Sequence, residues 1–195
     1  DPFLGKYAQY KSTKATSTGR FNYIDSSSEI YGTIEYSTEH PTTFITINSN
    51  NNYDWLYINN SVATDTTRWS TEKTIYDPCP VGWRVPNGGE SGFWATSGIA
   101  PSNTHNLLDG IKYTDSVNGQ EYYYPYTGRY DEPYDATSND ISYYYYGWYW
   151  TCTNTKNSIY RADYMTFYSS SLIPYHTGTY GYRYYGHAVR CQKIQ

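Results

Sequence analysis

The stretch Tyr76–Pro86 reads YDPCPVGWRVP and sets a cysteine and a tryptophan among three prolines. Two of those prolines flank Cys79 and exclude a helix, because proline lacks a backbone N–H and restricts the residue before it. Gly82–Pro86 is therefore predicted to be a short apolar strand or a loop. The following Asn87–Gly89 has the composition of a turn.

Most of the chain alternates β-branched and aromatic residues with turn residues, which is typical of strands. Strands are predicted at Thr43–Ile47, Tyr149–Thr153, Tyr160–Phe167 and His187–Cys191. In the third of these, Met165 and Phe167 fall on the face opposite to Tyr164. A short helix is predicted at Glu90–Thr96, a helix end or a strand at Leu107–Ile111, and a loop-rich region over residues 112–147.

Length and net charge indicate a single-domain protein that does not bind nucleic acid. A chain of 195 residues suits one domain with a core of its own. The net charge of −4 disfavours nucleic acid, whose binding needs a basic surface. No apolar run approaches the roughly 18 residues of a membrane span. There is no leader-like segment, and the chain begins at Asp1 without methionine, so we expect a piece of a longer protein.

The three cysteines, Cys79, Cys152 and Cys191, are too widely spaced for a zinc site, which uses Cys or His ligands at short spacing. One disulfide with one leftover thiol is the expected arrangement in an exported protein. Three buried thiols in a reducing compartment are the alternative. A composition poor in charge and rich in Tyr, Asn, Thr and Ser favours export.

Tyrosine is concentrated in the C-terminal part of the chain, where 19 of the 28 tyrosines lie between Tyr122 and Tyr185. A buried phenol needs a hydrogen-bond partner for its hydroxyl, so we expect many of these rings at the surface. Tyrosine accompanied by Ser, Gly and Asn is typical of antibody-like binding surfaces. The region is therefore predicted to be a recognition surface, with a merely polar, β-rich coat as the alternative.

The Tyr76–Pro86 stretch resembles the DPCPxGWRxP signature of the Fibrobacter succinogenes major paralogous domain, which is common in surface proteins of Bacteroides-type bacteria. Tyr149–Thr151 is similar to that family's YWSS or YWTS strand, and Gly186–Cys191 (GHAVRC) is similar to its terminal GFSVRC. Pro41–Ile45 and Asn52–Trp55 are also similar, so the likeness runs from about residue 41 to the C-terminus.

The resemblance implies a single C-type-lectin-like domain over residues 1–195, an α+β fold rich in strands and loops with few short helices. Residues 1–40 match less distinctly. The resemblance also implies a disulfide between Cys79 and Cys191, which leaves Cys152 as a small buried side chain rather than a reactive thiol. The implied scaffold residues are Cys79, Trp83, Trp148, Trp150, Met165, Phe167, Val189 and Cys191.

Some members of this family are targets of diversity-generating retroelements, which mutate adenines, mostly in AAC codons near the 3′ end of the gene. Such changes give Tyr, Ser, Asp, His, Thr, Ile, Gly or Cys, but not Trp, Met, Lys, Glu or Gln. The Tyr, Ser, Asn, His, Thr and Gly residues scattered between Tyr143 and Tyr185 fit the first set, and Trp148, Trp150, Lys156 and Met165 would be fixed scaffold. The resemblance therefore implies a hypervariable binding face. The expected ligand-binding residues are Tyr143, Tyr144, Tyr145, Tyr146, Asn157, Ser158, Tyr160, Tyr168, Tyr175, His176, Tyr180, Tyr182, Tyr184 and Tyr185.

The function we expect is non-catalytic binding of a protein or glycan ligand on another cell, a host or a phage. No cofactor and no metal are expected, because the EPN-like and WND-like motifs of sugar-binding calcium sites are absent. Asp131, Glu132 and Asp135 are predicted to be solvated loop charges rather than a cation site. No catalytic residue is assigned, since none of the four histidines is paired with a nucleophile at motif level.

Two alternatives belong to other functional classes. One is a structural pilus or cell-envelope module without a ligand of its own. The other is an enzyme like the formylglycine-generating enzymes, which share the broad fold and use a cysteine pair that Cys152 and Cys191 would imitate. The expected location is extracellular, on a bacterial outer membrane or pilus tip, without membrane insertion and with other pilus or surface subunits as further partners.

Overall fold

The computed structural model describes residues 22–24, 29–41, 43–45, 54–57, 70–98, 104–107, 110–115, 118–127, 129, 146–154, 161–168, 171–173 and 181–194. Within them, two short helices are present, α1 (Ile34–Glu39) and α2 (Phe93–Thr96). The strands are β1 (Asn22–Ile24), β2 (Thr43–Ile45), β3 (Trp83–Arg84), β4 (Thr104–Leu107), β5 (Gly110–Thr114), β6 (Glu121–Pro125), β7 (Tyr146–Asn154), β8 (Arg161–Tyr168), β9 (Ser171–Ile173), β10 (Gly181–Tyr182) and β11 (Gln192–Lys193). The protein is strand-rich with few short helices, as the sequence predicted.

The described strands form four small sheets. β1 pairs with β2 in parallel, β3 pairs with β11 antiparallel, and β4, β5 and β6 make an antiparallel meander. The largest sheet has β8 between β7 on one side and β9 and β10 on the other. At the outer edge of β7, Trp150 N–H donates to Ala188 O, and Ala188 N–H donates to Trp148 O, so the C-terminal segment extends this sheet.

The pairing of β7 with β8 gives this sheet two distinct faces. Tyr149 lies opposite Met165, and Trp148 lies opposite Thr166. Successive side chains on a strand point to opposite faces, and residues paired across strands share a face. One face therefore carries Tyr149 and Met165, while the other carries Trp148 and Thr166.

The main core lies against the face that carries Tyr149. Met165 and Phe167 of β8 pack there with Trp94 of α2 and Tyr124 of β6. Gly147 lies directly opposite Phe167, and a Cβ at this glycine would overlap the phenylalanine ring. The lack of a side chain at Gly147 therefore lets the ring lie flat across β7.

Asp77 holds the Tyr76–Pro86 stretch in its loop conformation. The Asp77 carboxylate accepts hydrogen bonds from the backbone N–H groups of Cys79 at 2.8 Å and Val85 at 2.9 Å. It also accepts one from Lys73 Nζ at 3.0 Å. The side chain thus satisfies donors that a proline-rich segment cannot place in a strand ladder.

Three links fasten this loop to the rest of the molecule. The disulfide Cys79–Cys191 joins it to the C-terminal segment, with the two Cα atoms 5.7 Å apart. The pairing of β3 with β11 joins the same two regions. The N–H of Cys152 donates to Pro86 O at 2.8 Å and attaches the loop to β7. The disulfide implied by the resemblance is confirmed, and Cys152 is a buried free thiol.

Several sequence-based expectations are confirmed within the described residues, namely the strands now seen as β2, β7 and β8 and the short helix α2. Three expectations are wrong. Leu107–Ile111 is neither a helix end nor one strand, because Leu107 ends β4 and Gly110 begins β5, and the two residues pair with each other. The region predicted to be loop-rich contains the end of β5 and all of β6, and His187–Cys191 forms only an isolated bridge at Ala188. Trp83 and Val189 were expected in the scaffold, but they are exposed.

The interior contains more tyrosines than expected. The buried tyrosines of the C-terminal part are Tyr124, Tyr126, Tyr149, Tyr164 and Tyr184. The Tyr149 hydroxyl donates to Pro125 O at 2.8 Å, and the Tyr124 hydroxyl accepts from Trp94 Nε1 at 3.3 Å. The fold thus gives hydrogen-bond partners to two of these buried hydroxyl groups. Of the five rings, only that of Tyr184 was expected in the exposed binding surface, and its burial makes that expectation wrong.

We predict that replacing Cys79 and Cys191 together with alanine lowers the free energy of unfolding by about 4–5 kcal/mol. The bond spans 112 residues, and in the chain-entropy model so long a closed loop strongly restricts the unfolded chain. Urea unfolding at neutral pH measures the loss. Cys152→Ala in the disulfide-bonded protein is the control, because it removes a sulfur atom but no disulfide. An equal fall in the free energy of unfolding in that control would contradict the stabilising role of the disulfide.

Candidate ligand-binding surface

The candidate surface is built on the face of the β7–β8 pair that turns away from the main core. Trp148 and Trp150 of β7 pack there with Tyr164 of β8 in a separate buried cluster. Because β7 alternates between Tyr149 on the core side and tryptophans on the other, a single strand supplies both clusters.

A continuous row of aromatic rings extends from this cluster. The Tyr168 ring centroid lies 5.1 Å from that of Tyr146, which stacks on Trp148 at 4.8 Å and 9°. Trp148 lies 6.3 Å from His187, and His187 lies 5.9 Å from Tyr185. We call this row, together with Tyr182 and Tyr184 described below, the aromatic band.

The far end of the aromatic band is a tight turn in the C-terminal segment. Tyr185 N–H donates to Tyr182 O at 2.9 Å, which closes the turn. The three tyrosine rings contact one another, with centroid distances of 4.9 Å for Tyr184–Tyr185 and 5.7 Å for Tyr182–Tyr184. The buried ion pair of Arg183 with Asp54, at 3.9 Å, anchors the same turn.

Arg129 connects the two halves of the aromatic band. Its guanidinium carbon lies 5.0 Å from the centroid of the Trp148 ring and 4.9 Å from that of the Tyr185 ring. A cation above an aromatic face is attracted by the ring quadrupole, and arginine does this with a flat group that stacks. Arg129 lies in a segment with the composition of a loop, so no sequence pattern marked it as a residue of the site.

His187, in the middle of the aromatic band, is only 7% exposed. It stacks on Trp150 at 4.1 Å and meets Tyr164 edge-on at 4.9 Å. Neither ring nitrogen has a hydrogen-bond partner in the part of the chain that the structure describes. Burial, with the nearby Arg129 charge as a smaller cause, holds the pKa of His187 well below its usual value, so the ring is neutral.

A buried carboxyl group, Asp163, lies on the opposite face of β8. Thr151 Oγ1 donates a hydrogen bond to its Oδ2 at 3.5 Å. A Cβ at Gly88 would overlap this carboxyl group, so the glycine permits the turn at residues 87–89 to pack against the sheet. Burial raises the pKa of Asp163 to about 6, although the nearby backbone N–H groups of Tyr164 and Gly89 and the Thr151 hydroxyl favour the charged form.

The Cys152 thiol is enclosed by polar and apolar neighbours. Its Sγ donates to Asn87 Oδ1 at 3.1 Å and lies 3.6 Å from Arg84 Nη1. It packs with Val85 and both disulfide cysteines in one small cluster. Burial raises the pKa of the Cys152 thiol, and Arg84 opposes this only in part. A buried thiol with a raised pKa is a poor nucleophile at neutral pH.

The structure brings together every predicted ligand-binding residue that it describes. These are Tyr146, Tyr168, Tyr182, Tyr184 and Tyr185, all in the aromatic band. Tyr184 is only 4% exposed, because its neighbours in the turn enclose it, which corrects the expectation of an exposed ring. The remaining predictions, Tyr143, Tyr144, Tyr145, Asn157, Ser158, Tyr160, Tyr175, His176 and Tyr180, lie outside the described residues, as do Asp131, Glu132 and Asp135.

Comparisons with protein-family models, with curated proteins and with solved structures found no match to this chain. In the described ranges, no helix has the length and apolar character needed to cross a membrane. Among those same residues, no three His, Cys, Asp or Glu side chains lie close enough together to hold a metal ion.

We predict that Asp163→Asn changes the pH dependence of stability. Because the folded pKa is raised, the contribution of Asp163 to stability is fully present below its unfolded pKa of 3.8 and is lost as pH rises through about 6. The stability of the variant relative to the natural protein should therefore increase by up to about 3 kcal/mol between about pH 4 and pH 7. Urea unfolding across this range measures the difference, and a constant difference would refute the assignment.

We predict that His187→Phe stabilises the protein. Phenylalanine keeps the ring contacts with Trp150 and removes two buried nitrogens without hydrogen-bond partners, which cost about 1–3 kcal/mol when unsatisfied. The gain should increase as pH falls below 6.5, because the depressed pKa of His187 makes protonation favour the unfolded chain. Thermal unfolding at about pH 5 and pH 7.5 tests this, and a lower melting temperature at both values would be the contrary result.

Proposed function

We propose that this protein is a C-type-lectin-like domain that binds a ligand without catalysis, and that the aromatic band forms part of its binding surface. The observation that carries the proposal is the convergence of Tyr146 and Tyr168 with the Tyr182–Tyr185 turn in one row of ring contacts. These residues come from three segments of the chain. Large, stiff rings held in place by one another lose little conformational entropy on binding.

The proposed fold is supported by the way the proline-rich loop meets the C-terminal segment. C-type-lectin-like folds close a loop between the first helix and the final strand, often with a disulfide. Here Cys79–Cys191 and the pairing of β3 with β11 close the chain between the proline-rich loop, which comes after the first described helix, and the last described strand. The motif likeness at Tyr76–Pro86 and Gly186–Cys191 falls on the same two regions.

A diversified binding surface fits the distribution of residue types. The residues of the aromatic band that a mutated AAC codon can encode include Tyr146, Tyr168 and Tyr182, whereas Trp148 cannot be produced that way. In this proposal the tyrosines vary among related alleles on a fixed tryptophan support.

Non-catalytic binding is favoured over chemistry like that of the formylglycine-generating enzymes. That chemistry uses two cysteines as a working pair, which here would have to be Cys152 and Cys191. Cys191 is bonded to Cys79, and Cys152 is buried with a raised pKa.

A structural pilus or cell-envelope module is the second candidate, and one observation favours it. Val81 is 96% exposed and Trp83 is 42% exposed beside the β3–β11 pair, where Ile194 N–H donates to Gly82 O. Exposed apolar side chains near the C-terminal end suit contact with another subunit. The two roles are compatible, because this area lies on elements other than those of the aromatic band.

The proposed location is the outside of a bacterial cell, at the surface or at a pilus tip. The disulfide supports a compartment outside the reducing cytoplasm. The proposed ligand is a protein or glycan on another cell, a host or a phage, and other surface subunits are further partners.

The proposal predicts that Tyr168→Ala combined with Tyr182→Ala abolishes ligand binding. Dominant interface rings each cost at least about 2 kcal/mol on truncation, whereas surface substitutions usually change folding stability by about 0.5 kcal/mol or less. Binding of the 195-residue chain to protein and glycan arrays is the measurement, with thermal unfolding alongside. Tyr76→Ala, at an exposed tyrosine outside the aromatic band, is the matched control.

Full retention of array binding in the double variant would contradict the proposed surface. So would loss of binding accompanied by a large fall in melting temperature, because the tyrosines would then be structural. Loss of binding in Tyr76→Ala alone would instead place the site at the proline-rich loop.

A further inference from the structure

We propose that Arg161 and Tyr182 form a subsite for a carboxylate at the end of the aromatic band, and that the carboxylate comes from a Glu or Asp side chain of a protein partner. This inference rests on the proposed binding function and names the chemistry of the partner. Arg161 begins β8 and lies directly across from Tyr182 of β10.

The geometry holds the guanidinium of Arg161 in a fixed orientation. Its central carbon lies 5.0 Å from the centroid of the Tyr182 ring, and its Nη2 lies 3.5 Å from the Tyr182 hydroxyl. The N–H groups of a guanidinium lie in one plane, and contact with an aromatic ring fixes the direction of that plane. A carboxylate can then accept two hydrogen bonds from the guanidinium at once. The Tyr182 ring therefore contributes to the subsite by positioning the guanidinium.

The charge of Arg161 is not neutralised by any carboxylate in the part of the chain that the structure describes. The nearest acid along β8, Asp163, is buried, and its Oδ2 accepts a hydrogen bond from Thr151 Oγ1. The protein as a whole has a net charge of −4, so its long-range field does not attract anions. The preference of the subsite for a carboxylate must therefore come from the nearby charge of Arg161.

The ring contacts favour a protein partner over an acidic sugar. A sugar ring binds by lying on an open aromatic face. The Tyr182 ring already stacks with Tyr184 at 10° and carries the Arg161 guanidinium. Tyr146 likewise stacks on Trp148. These rings therefore present mainly their edges and hydroxyl groups to a ligand. Such groups suit the hydrogen-bonding groups and side chains of a protein surface.

The test is an NMR titration of the 195-residue chain with two peptides, acetyl-Gly-Glu-Gly-amide and its neutral analogue acetyl-Gly-Gln-Gly-amide. The Glu peptide should produce saturable shifts of the Arg161 Nε–H signal and of the Tyr182 ring signals, and the Gln peptide should not. Arg161→Gln should weaken Glu-peptide binding, followed at Tyr182, by at least about tenfold, a change of about 1.4 kcal/mol. Arg161→Lys, which keeps the charge and loses the planar fork, should be intermediate.

Lys193→Gln is the matched control, because it removes the same charge from an exposed position on β11 and should leave the titration unchanged. Equal shifts with the two peptides, no saturable shift with either, or unchanged binding in Arg161→Gln would each overturn the subsite. Glucuronate binding at Arg161 as tightly as the Glu peptide would overturn the protein source in favour of an acidic sugar.

The peptide titration and the array experiment separate the two proposals. A subsite that binds the Glu peptide in a protein with no array ligand would leave the subsite standing and the receptor function refuted. An array ligand that binds Arg161→Gln as well as the natural protein would leave the receptor function standing and the subsite refuted.

Discussion

The pairing of β7 with β8 is the constraint on which the rest of the structure depends. Its register places Tyr149 and Met165 against the core and Trp148 on the opposite face, so both aromatic clusters are determined at once. A shift of one residue would move every side chain of one strand to the other face, so that Met165 and Phe167 would leave the core. Gly147 helps to fix the register, because only a residue without a side chain fits opposite Phe167.

Hydrogen bonding explains how a small protein buries several phenols. Tyr113 donates to Ser97 O at 2.8 Å, and Tyr149 donates to Pro125 O at the same distance. Ser97 follows the last residue of α2, and Pro125 is the last residue of β6. Carbonyl groups at such ends can accept hydrogen bonds from side chains. Tyrosine thus fills the interior as phenylalanine would and also satisfies backbone groups that short strands and helices leave unpaired.

The sequence allowed prediction of elements whose pattern is local. β7 and β8 were predictable because alternation over eight or nine residues is a strong signal. The loop around Cys79 was predictable because prolines exclude a helix, but its disulfide partner came only from a motif likeness. The burial of Tyr184 and the position of Arg129 were not predictable, because both depend on contacts between distant segments.

Burial also limits how a varied surface can be built on this fold. Trp148 and Tyr184 are buried, and replacing either would leave a cavity among the rings that lean on it. Tyr168 and Tyr182 lie at the two ends of the aromatic band and are partly exposed, so other residues can occupy their positions at smaller cost. If the surface is diversified as proposed, tolerated variation belongs at the ends of the band, and the rings between them act as the support that keeps those ends in place.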